Sequence, residues 1–241
     1  NNIKYFRSGK KQIFRLPRHH GNRVQYQFLY FCEPVKGNVW LISTDGIAVW
    51  KEQTQTFRRY KDPRVNRLRY TAAFFNGKQT IYLATRDHEL IAYNILTSAM
   101  HKLPPLPEDI IAGQIRQSSV NGHNYLIIAS RTKLYAYDLR RKTYRQWYDA
   151  QGARVRGLCP ADSLSLLWLA TGKGLVKLSA SPSGLSYIYL PQSGNRFVNS
   201  IIADSSRNIW MSDGSNTIWR RTSSGSIQIF RLPGKNTICH S

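Results

Sequence analysis

Val39-Trp40-Leu41-Ile42-Ser43-Thr44 has four echoes further along the chain: Ile81-Tyr82-Leu83-Ala84-Thr85, Tyr125-Leu126-Ile127-Ile128-Ala129-Ser130, Leu167-Trp168-Leu169-Ala170-Thr171 and Ile209-Trp210-Met211-Ser212-Asp213. The anchors Trp40, Tyr82, Leu126, Trp168 and Trp210 are 42, 44, 42 and 42 residues apart. A second marker agrees: Ile13-Phe14-Arg15-Leu16-Pro17 returns as Ile229-Phe230-Arg231-Leu232-Pro233, 216 residues later, or five periods of about 43. Repetition at this period is the signature of four-stranded propeller blades.

The local pattern selects strands over helices of similar repeat length. Thr44-Asp45-Gly46 leads into Ile47-Ala48-Val49-Trp50, and Gly172-Lys173-Gly174 into Leu175-Val176-Lys177-Leu178, the short polar turns a hairpin requires. A third run follows at Gln55–Tyr60, Thr143–Tyr148 and Leu185–Leu190. The run before each anchor supplies the inner strand: Tyr26–Cys32, Leu68–Phe74, Ile111–Ser118, Val155–Cys159 and Val198–Ala203. No stretch sustains the 3.6-residue period long enough for a helix, and β-branched and aromatic residues dominate. The expected fold is all-β, a β-propeller of four-stranded blades with strands a to d counted outward. Five complete blades fall near 18–60, 61–104, 105–148, 149–191 and 192–234, in one propeller domain or propeller fragment over 1–241.

Residues 1–17 read as strands c and d, and 236–241 as the start of another strand a. Two arrangements are open: the two ends complete a sixth blade, or the chain is part of a larger propeller. The last piece is too short for strands a and b, which favours the larger propeller. Open blade edges invite pairing with another copy, so self-association as a dimer, or a larger parent protein, is expected.

Apolar runs reach only about six residues, too short for a membrane-spanning helix. The N-terminus shows no charged-then-apolar leader, and that absence does not discriminate between compartments. Three cysteines do not make a disulfide framework. Cys32 and Cys159 fall at similar strand-a places and read as small core residues set too far apart to bridge; Cys239 has no assignment.

Charge is the second strong signal. Lys and Arg total 35 against 13 Asp and Glu, a formal charge of +22. Such an excess is self-repulsive and favours polyanionic partners: nucleic acid, an acidic polysaccharide or an anionic membrane surface. In a propeller the b–c turns and d–a connections share one face. That face collects Arg67, Arg69, Arg86, Arg131, Lys133, Arg154, Arg156, Lys173 and Arg196, which are the expected ligand-binding residues. Arginine predominates there, and a guanidinium offers planar, bidentate donation to sulfate, phosphate or carboxylate. Tyr60, Tyr70, Trp147 and Tyr148 are candidates to stack on sugar rings or bases, against the plainer reading that aromatics near strand ends belong to the core. The other face collects Lys36, Lys51, Lys78, Arg140, Arg141, Lys142 and Arg207.

Catalytic signals are thin. The six histidines show no metal-ligand spacing, and no paired inward carboxylates are evident. Gly172-Lys173-Gly174 reads as a hairpin turn and not a phosphate loop, because no helix follows it. No cofactor, no metal and no enzymatic activity are expected of this region.

Three segments carry a family resemblance. In Ala203-Asp204-Ser205-Ser206-Arg207-Asn208-Ile209-Trp210-Met211-Ser212 an acidic residue and a polar turn precede Asn-Ile-Trp-Met. Gly37-Asn38-Val39-Trp40, continuing to Thr44-Asp45-Gly46-Ile47, and Leu167-Trp168-Leu169-Ala170-Thr171-Gly172-Lys173-Gly174-Leu175 repeat the pattern. These blades resemble the two-component-regulator propeller repeats in the extracytoplasmic sensors of hybrid histidine kinases from gut Bacteroidetes. The resemblance spans nearly the whole chain, although the blades at Ile81 and Tyr125 lack the Trp and the Gly and join by period alone. It implies a periplasmic sensing region of a membrane-anchored parent with cytoplasmic kinase and regulator modules, which detects oligosaccharides and switches on their utilisation. No kinase residue lies in this chain. The family's binding residues are not a motif that transfers position by position.

Joined to the charge, the resemblance implies a sensor for an acidic oligosaccharide. Two other classes stay open: a basic propeller binding nucleic acid, which no RNA-binding motif supports, and a propeller lyase or hydrolase acting on an acidic polymer.

Overall fold

Fixed spacing of buried anchors dictates what the computed structural model of this chain contains. It describes residues 2–7, 10–15, 28–44, 46–66, 68–107, 110–120, 123–160, 167–178, 185–188, 198–213 and 216–232. The chain divides into two compact units, Asn1–Ala112 and Gly113–Ser241.

In the first unit β1 (Asn2–Arg7) and β2 (Lys10–Arg15) form an antiparallel hairpin. The first blade is β3 (Phe28–Val35), β4 (Asn38–Ser43), β5 (Gly46–Lys51) and β6 (Thr56–Arg59). The second is β7 (Tyr70–Phe75), β8 (Thr80–Thr85), β9 (Leu90–Asn94) and β10 (Met100–Leu103). In the second unit the third blade is β11 (Gln114–Val120), β12 (His123–Ala129), β13 (Lys133–Asp138) and β14 (Thr143–Asp149). The fourth is β15 (Val155–Pro160), β16 (Leu167–Thr171), β17 (Gly174–Leu178) and β18 (Leu185–Ile188), and the fifth β19 (Ser200–Ala203), β20 (Ile209–Ser212), β21 (Thr217–Arg221) and β22 (Ile227–Arg231). Each blade is a four-stranded antiparallel sheet whose strands follow chain order. The fold is all-β, a β-propeller, as the repeat predicts; the only helix among the described residues is the single turn α1 (Pro63–Asn66).

The inner strands begin later than the apolar pattern suggests. Leu68 and Ile111, taken into strands by their side chains, precede β7 and β11, which start at Tyr70 and Gln114. Ile111 is 57% exposed, so its hydrophobicity belongs to a connection and not to a sheet face. Tyr26 lies outside the described residues.

The fourth blade shows why the anchor runs are apolar without interruption. All five residues of β16 are buried. Leu167 and Leu169 pack with Val176 and Leu178 into a core shared with Ile127, Leu134 and Ala136 of the third blade. Trp168 and Ala170 point the other way and join Leu175 and Cys159 against Ile209, Met211 and Trp219 of the fifth. A strand sandwiched on both faces cannot alternate apolar with polar, the same logic that makes doubly covered sheets continuous hydrophobic runs. Outer strands escape this constraint, and β6, β10 and β22 carry mostly exposed or half-exposed residues. Cys159 is 5% exposed and Cys32 half-buried, and neither is in a disulfide; burial pushes the Cys32 thiol up to about 12 and raises that of Cys159. Cys239 lies outside the described residues.

Polar residues close the hairpins. In the a–b turn of the fifth blade, Asp204 Oδ2 accepts the Trp210 indole N–H at 2.7 Å and the Asn208 side-chain amide at 2.9 Å, while Oδ1 accepts the Asn208 backbone N–H. This accounts for the Asp-x-x-x-Asn-x-Trp pattern: one carboxylate locks the turn and orients the anchor ring. In the c–d turns Asn94 Oδ1 accepts the N–H of Leu96 and Thr97, and Asp138 Oδ1 those of Arg140 and Arg141. A left-handed residue recurs in these turns at Gln55, Ser98, Lys142 and Gly225, with φ of 51°, 57°, 58° and 97°.

The indole and amide donors hold the Asp204 carboxyl at about 2, below the ordinary 3.8. Its contribution to stability is therefore complete above about pH 4 and is lost as pH falls through about 2. Thermal unfolding followed from pH 5 down to about pH 2 should show a smaller loss of Tm for Asp204→Asn than for the parent. Leu169→Ala should cost about 3 kcal/mol in urea unfolding, whereas Leu96→Ala, at a side chain 66% exposed, should cost less than about 0.5 kcal/mol.

Candidate anion-binding cleft

Three of the five inner strands open with a β-bulge, centred on Leu29, Thr71 and Arg156, at the same place in each repeat. Gln114 and Asn199 occupy that repeat place in the third and fifth blades, 42 residues before and 43 residues after Arg156. A bulge leaves one residue out of the ladder and re-aims its side chain. In the second unit these positions meet. Gln114 Nε2 donates to the Arg156 carbonyl at 2.8 Å, and Gln114 Oε1 accepts the Leu158 N–H at 2.8 Å. The Arg156 guanidinium then donates to Asn199 Oδ1 at 3.2 Å. Three blades are thereby stitched through one polar chain.

Beside this chain lies a cleft of about 270 Å³, lined by Gly113, Gln114, Ala129, Ser130, Arg154, Val155, Arg156 and Asn199. No carboxylate is among these residues. The titratable groups in the lining are two guanidiniums, so the cleft offers amide and guanidinium donors and no general base. Backbone bonds bring further cations to its rim. Val155 N–H donates to the Arg131 carbonyl at 2.7 Å, which sets the b–c turn of the third blade against the start of β15. Gly172 N–H donates to the Arg154 carbonyl at 2.8 Å, which sets the Gly172-Lys173 turn beside the same strand. Ser130 Oγ accepts the Lys133 N–H at 3.0 Å and Thr171 Oγ1 that of Lys173 at 3.1 Å, so hydroxyls hold both b–c turns. The Gly172-Lys173 pair is a two-residue hairpin turn, as read from sequence.

Of the nine expected binding residues, Arg154 and Arg156 line the cleft, and Arg131, Lys133 and Lys173 belong to the turns beside it. Arg69 and Arg86 form a separate exposed pair in the first unit, joined by the Arg86 N–H to Arg69 carbonyl bond at 2.9 Å. Arg67 and Arg196 lie outside the described residues. Gln114, Ser130 and Asn199 were missed because they are uncharged; their spacing from Arg156, or their place at a strand end, was the available signal.

The aromatic platforms are corrected. Tyr70 is fully buried and its hydroxyl bonds the Val65 carbonyl. Tyr148 is 6% exposed within the core between the third and fourth blades. The Tyr60 ring packs on Trp40 at 4.5 Å and its hydroxyl meets that of Tyr93 at 2.7 Å. Trp147 packs against Tyr125 and the same core as Tyr148. Ring area is worth more in the core than facing solvent. A comparable clamp works in the first blade: Asn66 Oδ1 accepts the Ile47 N–H and its amide donates to the Tyr60 carbonyl. Gly46, at φ +127°, leaves no room for a Cβ, which would lie 2.3 Å from Asn66 Oδ1. Among the described residues no three His, Cys, Asp or Glu side chains converge as a metal site.

Gln114→Ala removes both partners at once and leaves the Leu158 N–H and the Arg156 carbonyl orphaned. A loss of about 2–3 kcal/mol in urea unfolding is expected.

No protein-family model matches the sequence, and no curated protein aligns with it. Solved structures share the fold at low identity. A streptogramin B lyase superposes with a TM-score of 0.73 at 16% identity, over 98% of this chain and 78% of that one. The extracellular domain of the putative hybrid two-component system BT3049 from B. thetaiotaomicron superposes with a TM-score of 0.71 at 16% identity, over 98% of this chain and 33% of that one. PorZ, a surface component of the type-IX secretion system of Porphyromonas gingivalis, gives a TM-score of 0.62 at 9% identity, over 84% of this chain and 27% of that one. These likenesses establish the β-propeller fold.

Proposed function

We propose that this chain is an extracytoplasmic sensing propeller of a hybrid two-component system, and that it binds an acidic oligosaccharide to regulate glycan utilisation. The observation that carries the reading is the cleft at the start of β15, where Arg154 and Arg156 stand with side-chain amides and no carboxylate. Guanidinium and amide donors suit sulfate or uronate groups, and the cleft's volume suits one sugar unit of a longer chain. The fold shared with the BT3049 extracellular domain supports the sensor half of the reading. The binding event selects one arrangement of the parent protein over another, and ligand leaves unchanged.

A second reading is favoured by the likeness to the streptogramin B lyase: the propeller acts as a lyase. It requires turnover, and the cleft's ionisable residues are arginines, which do not abstract protons at neutral pH.

Calorimetric titration with defined sulfated, uronic and neutral oligosaccharides, and a random single-stranded oligonucleotide as control, separates the readings. One acidic sugar should bind selectively, with affinity falling as salt rises. Arg154→Ala should weaken it about 10- to 100-fold, the worth of one charge-assisted hydrogen bond. Arg131→Ala, at the rim, should weaken it less. Equal affinity for every polyanion would reduce the charge to a generic one, and accumulation of product would favour the lyase.

A further inference from the structure

On the other rim of the third blade, away from the cleft, four cations project from one hairpin. Arg140, Arg141 and Lys142 occupy the turn between β13 and β14, Arg145 follows two strand residues later, and all four are exposed. None of them forms an ion pair with a described carboxylate. The nearest, Asp138, is buried and committed: its Oδ1 takes the N–H of Arg140 at 2.8 Å and of Arg141 at 2.9 Å. Asp138 thus fixes the backbone of the turn and leaves the three long side chains to solvent. Lys142 holds φ at +58°, which completes the tight reversal.

Two half-buried aromatics sit on the same sheet face. Trp147 on β14 packs against Tyr125 on β12 with ring centroids 5.3 Å apart. Register places Tyr125 opposite Asp138, and Asp138 opposite Thr143, so Tyr125 shares the face of Arg145. Trp147, skipped by the ladder between Gln146 and Tyr148, reaches that face through its contact with Tyr125. β14 is the outermost strand of its sheet. The patch is therefore a projecting edge, basic at its tip and aromatic along its side.

We infer that this β13–β14 edge is a docking surface for an anionic lipid bilayer. Shape and chemistry together choose that partner. A projecting hairpin tip cannot enclose a flexible polyanion as a groove does, but it can set several cations against a planar anionic surface at once. Half-buried Trp and Tyr rings, braced from behind by the core, suit the interfacial zone, where an amphipathic ring meets headgroups. Nucleic-acid stacking needs open ring faces, and here the Trp147 ring rests on Tyr125. The inference does not depend on what the cleft binds.

The test is co-sedimentation of the full chain with vesicles of phosphatidylcholine alone and of phosphatidylcholine mixed with phosphatidylglycerol. Binding to the mixed vesicles only, weakened by salt, is expected. The triple variant R140Q/R141Q/K142N, with Asn chosen for its tolerance of positive φ, should lower partitioning roughly 100-fold. The charge-matched variant R58Q/K61Q/R86Q removes three exposed cations that lie outside the a–b and c–d turns and should stay within about threefold of the parent. Circular dichroism melting of both variants checks that they fold. Equal losses in the two variants would assign the attraction to net charge and overturn the inference, as would no binding to the mixed vesicles. Tighter binding to a random single-stranded oligonucleotide, abolished by the R140Q/R141Q/K142N change, would make the edge a polymer site and overturn it too.

Discussion

A blade inside a propeller has two faces to bury, and the structure is organised by that requirement. The middle strands β16 and β17 carry most of it in the fourth blade, where successive side chains enter cores on opposite sides. Within these stretches Lys177, half-buried with its ammonium over the Trp168 ring, is the one charged side chain, and the other polar groups stand where the strands end. Chemistry must then collect at turns and strand starts, which is where the arginines, the capping hydroxyls and the polar stitch among Gln114, Arg156 and Asn199 are found. The outer strands, relieved of the requirement, carry much of the remaining charge.

Strand ends create their own problem, since backbone donors and acceptors near a core cannot be left unpaired. The protein answers it with single side chains that make several bonds each. Asp204 closes a turn and orients an anchor indole. Asn66 clamps the b–c turn of the first blade to the approach of the second, and Gln114 does the same between the third and fourth. These residues are neither hydrophobic nor charged in any obvious pattern, yet they set how closely neighbouring turns approach. The cleft owes its wall to one of them.

What could be read from sequence follows the same division. The period was plain because buried strands repeat their apolar runs, and the blades at Tyr82 and Leu126 kept that run even without the Trp and Gly of the others. The Asp204-to-Trp210 pattern was visible, although its hydrogen-bonded meaning was not. Inner-strand starts were misplaced at Leu68 and Ile111 because an apolar side chain was read as a sheet residue when it lay in a connection. Arg154 and Arg156 were found by charge. Gln114 and Asn199 were not, since a hydrogen-bonding amide leaves no compositional trace. Tyr60, Tyr70 and Tyr148 went to the core because ring burial outweighs ring exposure at the ends of packed strands.

Leu29, Thr71, Gln114, Arg156 and Asn199 stand at one repeat place and are five different residues, one aliphatic, one hydroxyl, two amides and one guanidinium. At Leu29, Thr71 and Arg156 the place falls out of the regular ladder, whereas Gln114 pairs with Ala129 within it. Side chains of different chemistry are accepted at one address per module, and in the third blade that side chain also ties two blades together. Exchanging one of these letters in the second unit therefore reshapes a cleft wall and alters how neighbouring blades are joined in the same stroke.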